Sequence, residues 1–203
     1  MRQDEISTTR GGSKALNFMS DIQPIDDEFL AFFKSETETT WQHKQLNPAI
    51  FGYQIQNGTR WNSGLTEAQV SNYESDLEVQ FPHDFKRLLR YMNGTDSPSM
   101  NIYGSSGYPH RTRHDVYSYP RDLAAVREMI AWVEDDRKKL ALVLSDQEYE
   151  LQPDARLVPI YAHRYVVCGA DPNESTVLSI SGTDAIVYGN SLRAFLQIEF
   201  LQT

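Results

Sequence analysis

Cysteine is nearly absent from this chain: Cys168 is the one thiol among 203 residues. That excludes a disulfide framework and any cysteine-based zinc cluster. No apolar run approaches the roughly 18 residues that a bilayer-spanning helix needs, and Met1-Arg2-Gln3-Asp4-Glu5 has no apolar core of a secretory signal. The expectation is a soluble, cytoplasmic protein in a reducing compartment, whose three sequons at Asn57, Asn93 and Asn173 arise by chance. Basic residues are scarce as well. Nineteen Lys+Arg stand against 28 Asp+Glu, a net charge of −9, which opposes nucleic-acid binding, since that affinity comes from neutralising phosphates.

The common catalytic signatures are also missing. There is no Walker loop, no Gly-x-Gly-x-x-Gly and no Gly-x-Ser-x-Gly; Gly104-Ser105-Ser106-Gly107 has the wrong spacing for a nucleophile elbow. His110 and His114 are four apart, but Pro109, Arg111, Thr112 and Arg113 mark a loop and place two cations beside any metal. No cofactor and no metal are expected. Cys168 reads as a buried thiol on an apolar strand, with His163 on the opposite face of that strand.

What is present is a patterned globular sequence, 40% hydrophobic and 11% aromatic, of a length that fits one domain. Residues 1–22, with Ser7-Thr8-Thr9 and Gly11-Gly12-Ser13, read as a flexible leader, and 23–203 as a single α+β domain. A helix from Ile25 to Trp41 carries Phe29, Leu30, Phe32 and Phe33 on its apolar side, with Asp26 and Asp27 at its positive end. Phe51 to Ile55 alternates as a strand, Asn57-Gly58 signals a hairpin, and Thr59-Arg60-Trp61 is the returning strand. Trp41 and Trp61 are either core or partner anchors.

Thr66-Glu67-Ala68-Gln69 is a capping box, with Leu65 and Val70 as its staple, and Val70, Tyr73 and Leu77 share the face that follows. At Phe81-Pro82-His83-Asp84 one helix stops and another starts, with Phe85, Leu88, Leu89 and Met92 at helical spacing and Asn93-Gly94 as a left-handed stop. Thr95 to Tyr119 reads as a long irregular loop, a segment type that is usually functional or disordered. Ser118-Tyr119-Pro120 opens a further helix with Leu123, Val126, Ile130 and Val133 inward and 134–139 outward. Leu157 to Val167, Val177 to Ile180 and Ala185 to Tyr188 read as strands, the last two joined at Ser181-Gly182, before a helix capped by Asn190 or Ser191. Grouped rather than alternating elements favour α+β over a doubly wound sheet.

The order Gly64-Leu65-Thr66-Glu67 to Leu77, Phe81-Pro82-His83-Asp84-Phe85 to Leu89, then Asn93-Gly94 resembles the hallmark of the SUKH superfamily of Smi/Knr-like proteins. Leu157-Val158-Pro159-Ile160, His163-Arg164-Tyr165, the run Asp184 to Asn190 and the closing Glu199-Phe200 resemble its bacterial members. The likeness runs over roughly residues 50–203, with Phe81 for the usual leucine and Phe85 for the usual tyrosine. It implies a mixed, largely antiparallel sheet flanked by helices. It also implies a non-catalytic immunity protein, favoured as a monomer, that binds and neutralises a cognate toxin of a polymorphic or contact-dependent system, often a nuclease. A regulatory or scaffold module of the same fold is the alternative, and a hydrolase using His163 with Asp184 or Asp171 a third.

The acidic clusters suit a basic protein partner as well as a merely solvated surface. They are the segment Asp21 to Glu38, Glu134-Asp135-Asp136, and Asp146, Glu148, Glu150 and Asp154. The candidate contact residues are Tyr103, Tyr108 and Tyr117 in the long loop (with Tyr119 beside them), Glu134, Asp135 and Asp136, and the polar segment His163-Arg164 with Asp184. The competing expectation for that segment is a core network in which His163 and Arg164 pair with Asp184 or Asp171.

Overall fold

A computed structural model describes residues 23–102 and 111–202. The expected leader over 1–22 lies outside the described residues, as do Tyr103, Tyr108 and His110. The first helix, α1 (Asp27–Gln42), starts where Asp26 accepts the Phe29 amide at 2.7 Å. Its inward face carries Phe29, Leu30, Phe33 and Trp41, whereas Phe32 points outward and is 54% exposed. At helical spacing Phe32 falls opposite the buried stripe, so the core does not reach it.

Strand β1 (Gly52–Gln54) and strand β2 (Trp61–Ser63) do not form the expected hairpin. A left-handed Gly58 does turn the chain, but the two strands enter different sheets. α2 (Glu67–Leu77) opens on the full capping box between Thr66 and Gln69, and the staple residues Leu65 and Val70 are buried. α3 (His83–Tyr91) follows a corner that Glu74 holds from inside: its carboxylate accepts the Phe81 amide at 2.7 Å and pairs with Lys86 at 2.8 Å. Pro82 stands at the cap, one residue before the expected first helical position.

Asn93-Gly94 does not end α3. The chain passes directly into β3 (Met92–Thr95), with Gly94 inside the strand at φ +69°. A Cβ there would lie 2.5 Å from Ser118 Cβ, so glycine serves both a close approach and a left-handed backbone. The expected irregular loop holds β4 (Ser99–Ile102) and β5 (Arg111–Arg113).

The second half begins with α4 (Leu123–Asp135) and then, after a break at Asp136, α5 (Arg137–Ser145). That helix was not apparent in the sequence; it buries Leu140 and Leu144 completely. Strands β6 (Arg156–Tyr161), β7 (Arg164–Cys168), β8 (Val177–Ser181) and β9 (Asp184–Gly189) precede the last helix, α6 (Leu192–Phe200), which is capped by Ser191. The stretch 157–167 is therefore a hairpin rather than one strand, with Ala162 at φ +44° and His163 in its turn.

The result is the expected α+β class, with its strands in three small sheets ordered β1-β4-β5, β2-β3 and β6-β7-β8-β9. All pairings between these strands are antiparallel. Period-two alternation divides the four-stranded sheet between two cores. Val158, Val166, Cys168 and Val177 face the cluster formed with α1, α2, α3 and α6, while Leu157, Tyr165, Val167 and Leu178 face α4 and α5. The first core is aromatic at its centre: Trp41 and Trp61 lie 5.3 Å apart, and Phe200 meets Phe33 edge-on at 5.8 Å. The Trp61 indole donates to Thr37 Oγ1 at 2.8 Å, so this buried N–H is satisfied and both tryptophans belong to the core. Among the described residues no helix is long and apolar enough to cross a membrane.

Candidate functional site

A groove of about 400 Å³ opens at the end of the four-stranded sheet where β6 turns into β7. One wall is α4, which presents Glu128, Met129 and Trp132; the other is built from Arg113, Tyr117 and the turn residues Ala162 and His163. Tyr165 and Ile180, from adjacent strands of the sheet, complete the lining.

Each wall is held in place locally. α4 packs through Val126 and Val133, both buried, and this turns Trp132 outward at 44% exposed. The turn is fixed by two backbone acceptors: the Ala162 carbonyl takes the Tyr117 hydroxyl at 2.9 Å, and the Asp115 carbonyl takes the Ala162 amide at 2.8 Å. Burial pushes the Tyr117 phenol up to about 12, so it stays a neutral donor. Tyr165 is wholly buried, yet its hydroxyl has no hydrogen-bond partner among the described residues. That is an unspent donor in the lining of a groove.

The electrostatics of the groove are set by which charges are already answered. Arg113 pairs with the buried carboxylate of Asp115 and lies 4.0 Å over the Tyr53 ring. His163 sits against the Arg164 guanidinium. Burial first, and then the charge of Arg164, hold His163 below its ordinary value, so its ring is uncharged near neutrality. Glu128 has no ion pair among the described residues, so the groove carries net negative charge on its α4 wall.

Of the residues singled out in the sequence, Tyr117 and His163 meet here. Glu134 and Asp136 are committed to Arg137 at 2.9 Å and Lys139 at 2.6 Å. Asp135 alone of that trio is exposed without an ion pair among the described residues. Arg164 faces the α6 side, where it pairs with Glu199 at 3.3 Å, donates to Ser179 Oγ at 2.9 Å and stacks 4.0 Å over Tyr188. This corrects the expected partners. Asp184 is exposed at the start of β9, and Asp171 accepts from Asn173 in its own loop; neither bonds His163 or Arg164. Tyr119 is structural, stacked on Tyr73 at 4.7 Å with its hydroxyl donating to Asp76.

Sequence reasoning missed Trp132 and Glu128. The available signal was their place on α4: Ala124, Glu128, Ala131, Trp132 and Asp135 fall on one stripe, opposite Val126 and Val133. It also missed a larger cleft of about 580 Å³ beside α3, where His83, Lys86, Arg87 and Arg90 recur at helical spacing. Two of those cations are already answered, Lys86 by Glu74 and Arg87 by Asp27 at 3.7 Å.

Comparison with known proteins adds nothing to this geometry: no protein-family model and no curated protein matches the chain.

Proposed function

We propose that this chain is a non-catalytic protein-binding module of the immunity type, which neutralises a basic cognate toxin, such as a nuclease, by occluding it one to one. One observation carries the reading: a groove in which an exposed tryptophan lies beside the unpaired carboxylate of Glu128, on a chain of net charge −9. An aromatic anchor in a concave, acid-rimmed site suits a partner that is itself basic, and the wider field favours its encounter. The order of motifs from Gly64 to Gly94, which resembles the SUKH superfamily, supports the same reading from the sequence side.

The test is co-expression with the C-terminal domain of a toxin-like polypeptide encoded beside this one. The expected result is growth arrest relieved by this protein, with a 1:1 complex that weakens as salt rises. Toxicity without rescue or binding, or no toxicity at all, would move the function to a regulatory or scaffold module of the same fold.

A further inference from the structure

We infer that the outward stripe of α4 is a receptor for an arginine side chain presented by the partner protein, with Trp132 as its platform and Glu128 and Asp135 as its counter-charges. The inference rests on the protein-binding reading above and names the chemistry of its contact.

The argument comes from a pattern that the molecule repeats. Three times an arginine lies over an aromatic ring while a carboxylate holds its edge. Arg113 covers Tyr53 at 4.0 Å and pairs with Asp115. Arg164 covers Tyr188 at 4.0 Å and pairs with Glu199. Arg193 covers Phe29 at 4.3 Å and reaches Asp26 at 3.9 Å. The planar guanidinium is suited to this double contact, because one face stacks while the N–H fork meets oxygen.

On α4 the ring and the carboxylates are present and the cation is not. Trp132 is 44% exposed, with Glu128 four residues before it and Asp135 three after, about 6 Å and about 4.5 Å along the helix axis. Among the described residues no cation lies over Trp132, and neither acid is paired. The flanking Ala124 and Ala131 keep the approach low. Across the groove nothing repels a cation: the charge of Arg113 is spent on Asp115, and His163 is neutral. Beneath the same lining the wholly buried Tyr165 hydroxyl is left without a hydrogen-bond partner among the described residues.

The test uses the full chain, isotope-labelled for NMR, titrated with acetyl-Arg-Arg-Arg-amide and with the matched citrulline peptide, which keeps the shape and loses the charge. The expected result is amide shifts concentrated on 124–135 and the 162–163 turn with the arginine peptide only. Trp132→Ala, and the pair Glu128→Gln with Asp135→Asn, should each weaken binding at least about fivefold. The charge-matched control Glu150→Gln with Asp154→Asn should change it less than about twofold. Shifts spread over every acidic surface, equal binding of the citrulline peptide, or equal losses in the two double variants would overturn the inference. No toxin enters this experiment, so a peptide that binds here while the rescue assay fails would sink the immunity reading and leave the arginine site standing.

Discussion

Arg164 and Glu199 meet at 3.3 Å and tie the second strand of the four-stranded sheet to the last turn of α6. Both side chains are largely buried, at 13% and 17% exposed, and Tyr188 and Ser179 take the remaining faces of the guanidinium. Arg164→Ala leaves a carboxylate in a desolvated site. It is expected to lower unfolding free energy in denaturant titration by about 2 to 3 kcal/mol. Asp184→Asn, at the exposed position where a partner for Arg164 was expected, should stay within about 0.5 kcal/mol of the native protein. Equal losses from the two variants would mean that the pairing is wrongly assigned.

The capping box at Thr66 and Gln69 starts the helix that positions the α2–α3 corner. Thr66→Ala removes the acceptor for the Gln69 amide. A loss of about 1 kcal/mol in the same titration is expected, with Thr66→Asn close to neutral.

Gly94 stands on two independent requirements, a φ of +69° and a Cβ position 2.5 Å from Ser118 Cβ. Gly94→Ala should therefore cost about 2 kcal/mol or more. Gly58→Ala has the same sign of φ but open space around the added methyl, so its loss should be the smaller of the two. The comparison of melting temperatures separates steric from backbone strain.

His163 is held below its ordinary value, by burial first and then by Arg164, with Glu199 and Asp115 acting in the opposite direction. The unfolded chain then binds the proton more readily than the folded one. Stability contributed by this residue is present above pH about 6.5 and is lost as pH falls toward the folded value. Following the ring protons by NMR should give a midpoint below about 6.5. Arg164→Gln should move that midpoint upward without restoring it fully, because burial remains. A midpoint at or above the ordinary histidine value would contradict the assigned environment.

The parts of the fold that were legible in the sequence are those set by local chemistry. Thr66 and Gln69 cap within four residues of each other, Ser181-Gly182 turns one strand into the next, and Phe85, Leu88 and Leu89 repeat along one helix. Pairing between distant segments was not legible. Asn57-Gly58 does turn the chain, but β1 pairs with β4, nearly 50 residues on, and nothing near the turn records that partner. Gly94 looked like a helix stop because the sequence shows its backbone freedom and not the approach of Ser118. The β6–β7 turn was hidden because alanine, not glycine, takes the left-handed position at 162.

The groove was half legible. Tyr117 and His163 stood out as polar or aromatic residues in unusual places, whereas Trp132 sat inside a helix and was passed over. The acidic run 134–136 was visible as charge, but only the fold shows that Glu134 and Asp136 spend theirs internally while Asp135 does not.

The central proposal is that this chain neutralises a basic toxin through the α4 groove, and co-expression of a toxin-like domain encoded beside it with native and groove-altered protein tests it most directly. The native chain should restore growth and form a 1:1 complex. Trp132→Ala combined with Glu128→Gln should abolish rescue and weaken the complex at least about tenfold, while melting at the native temperature. Full rescue by the altered groove would place the contact elsewhere on the molecule, and failure of the native chain to rescue would contradict the immunity role itself.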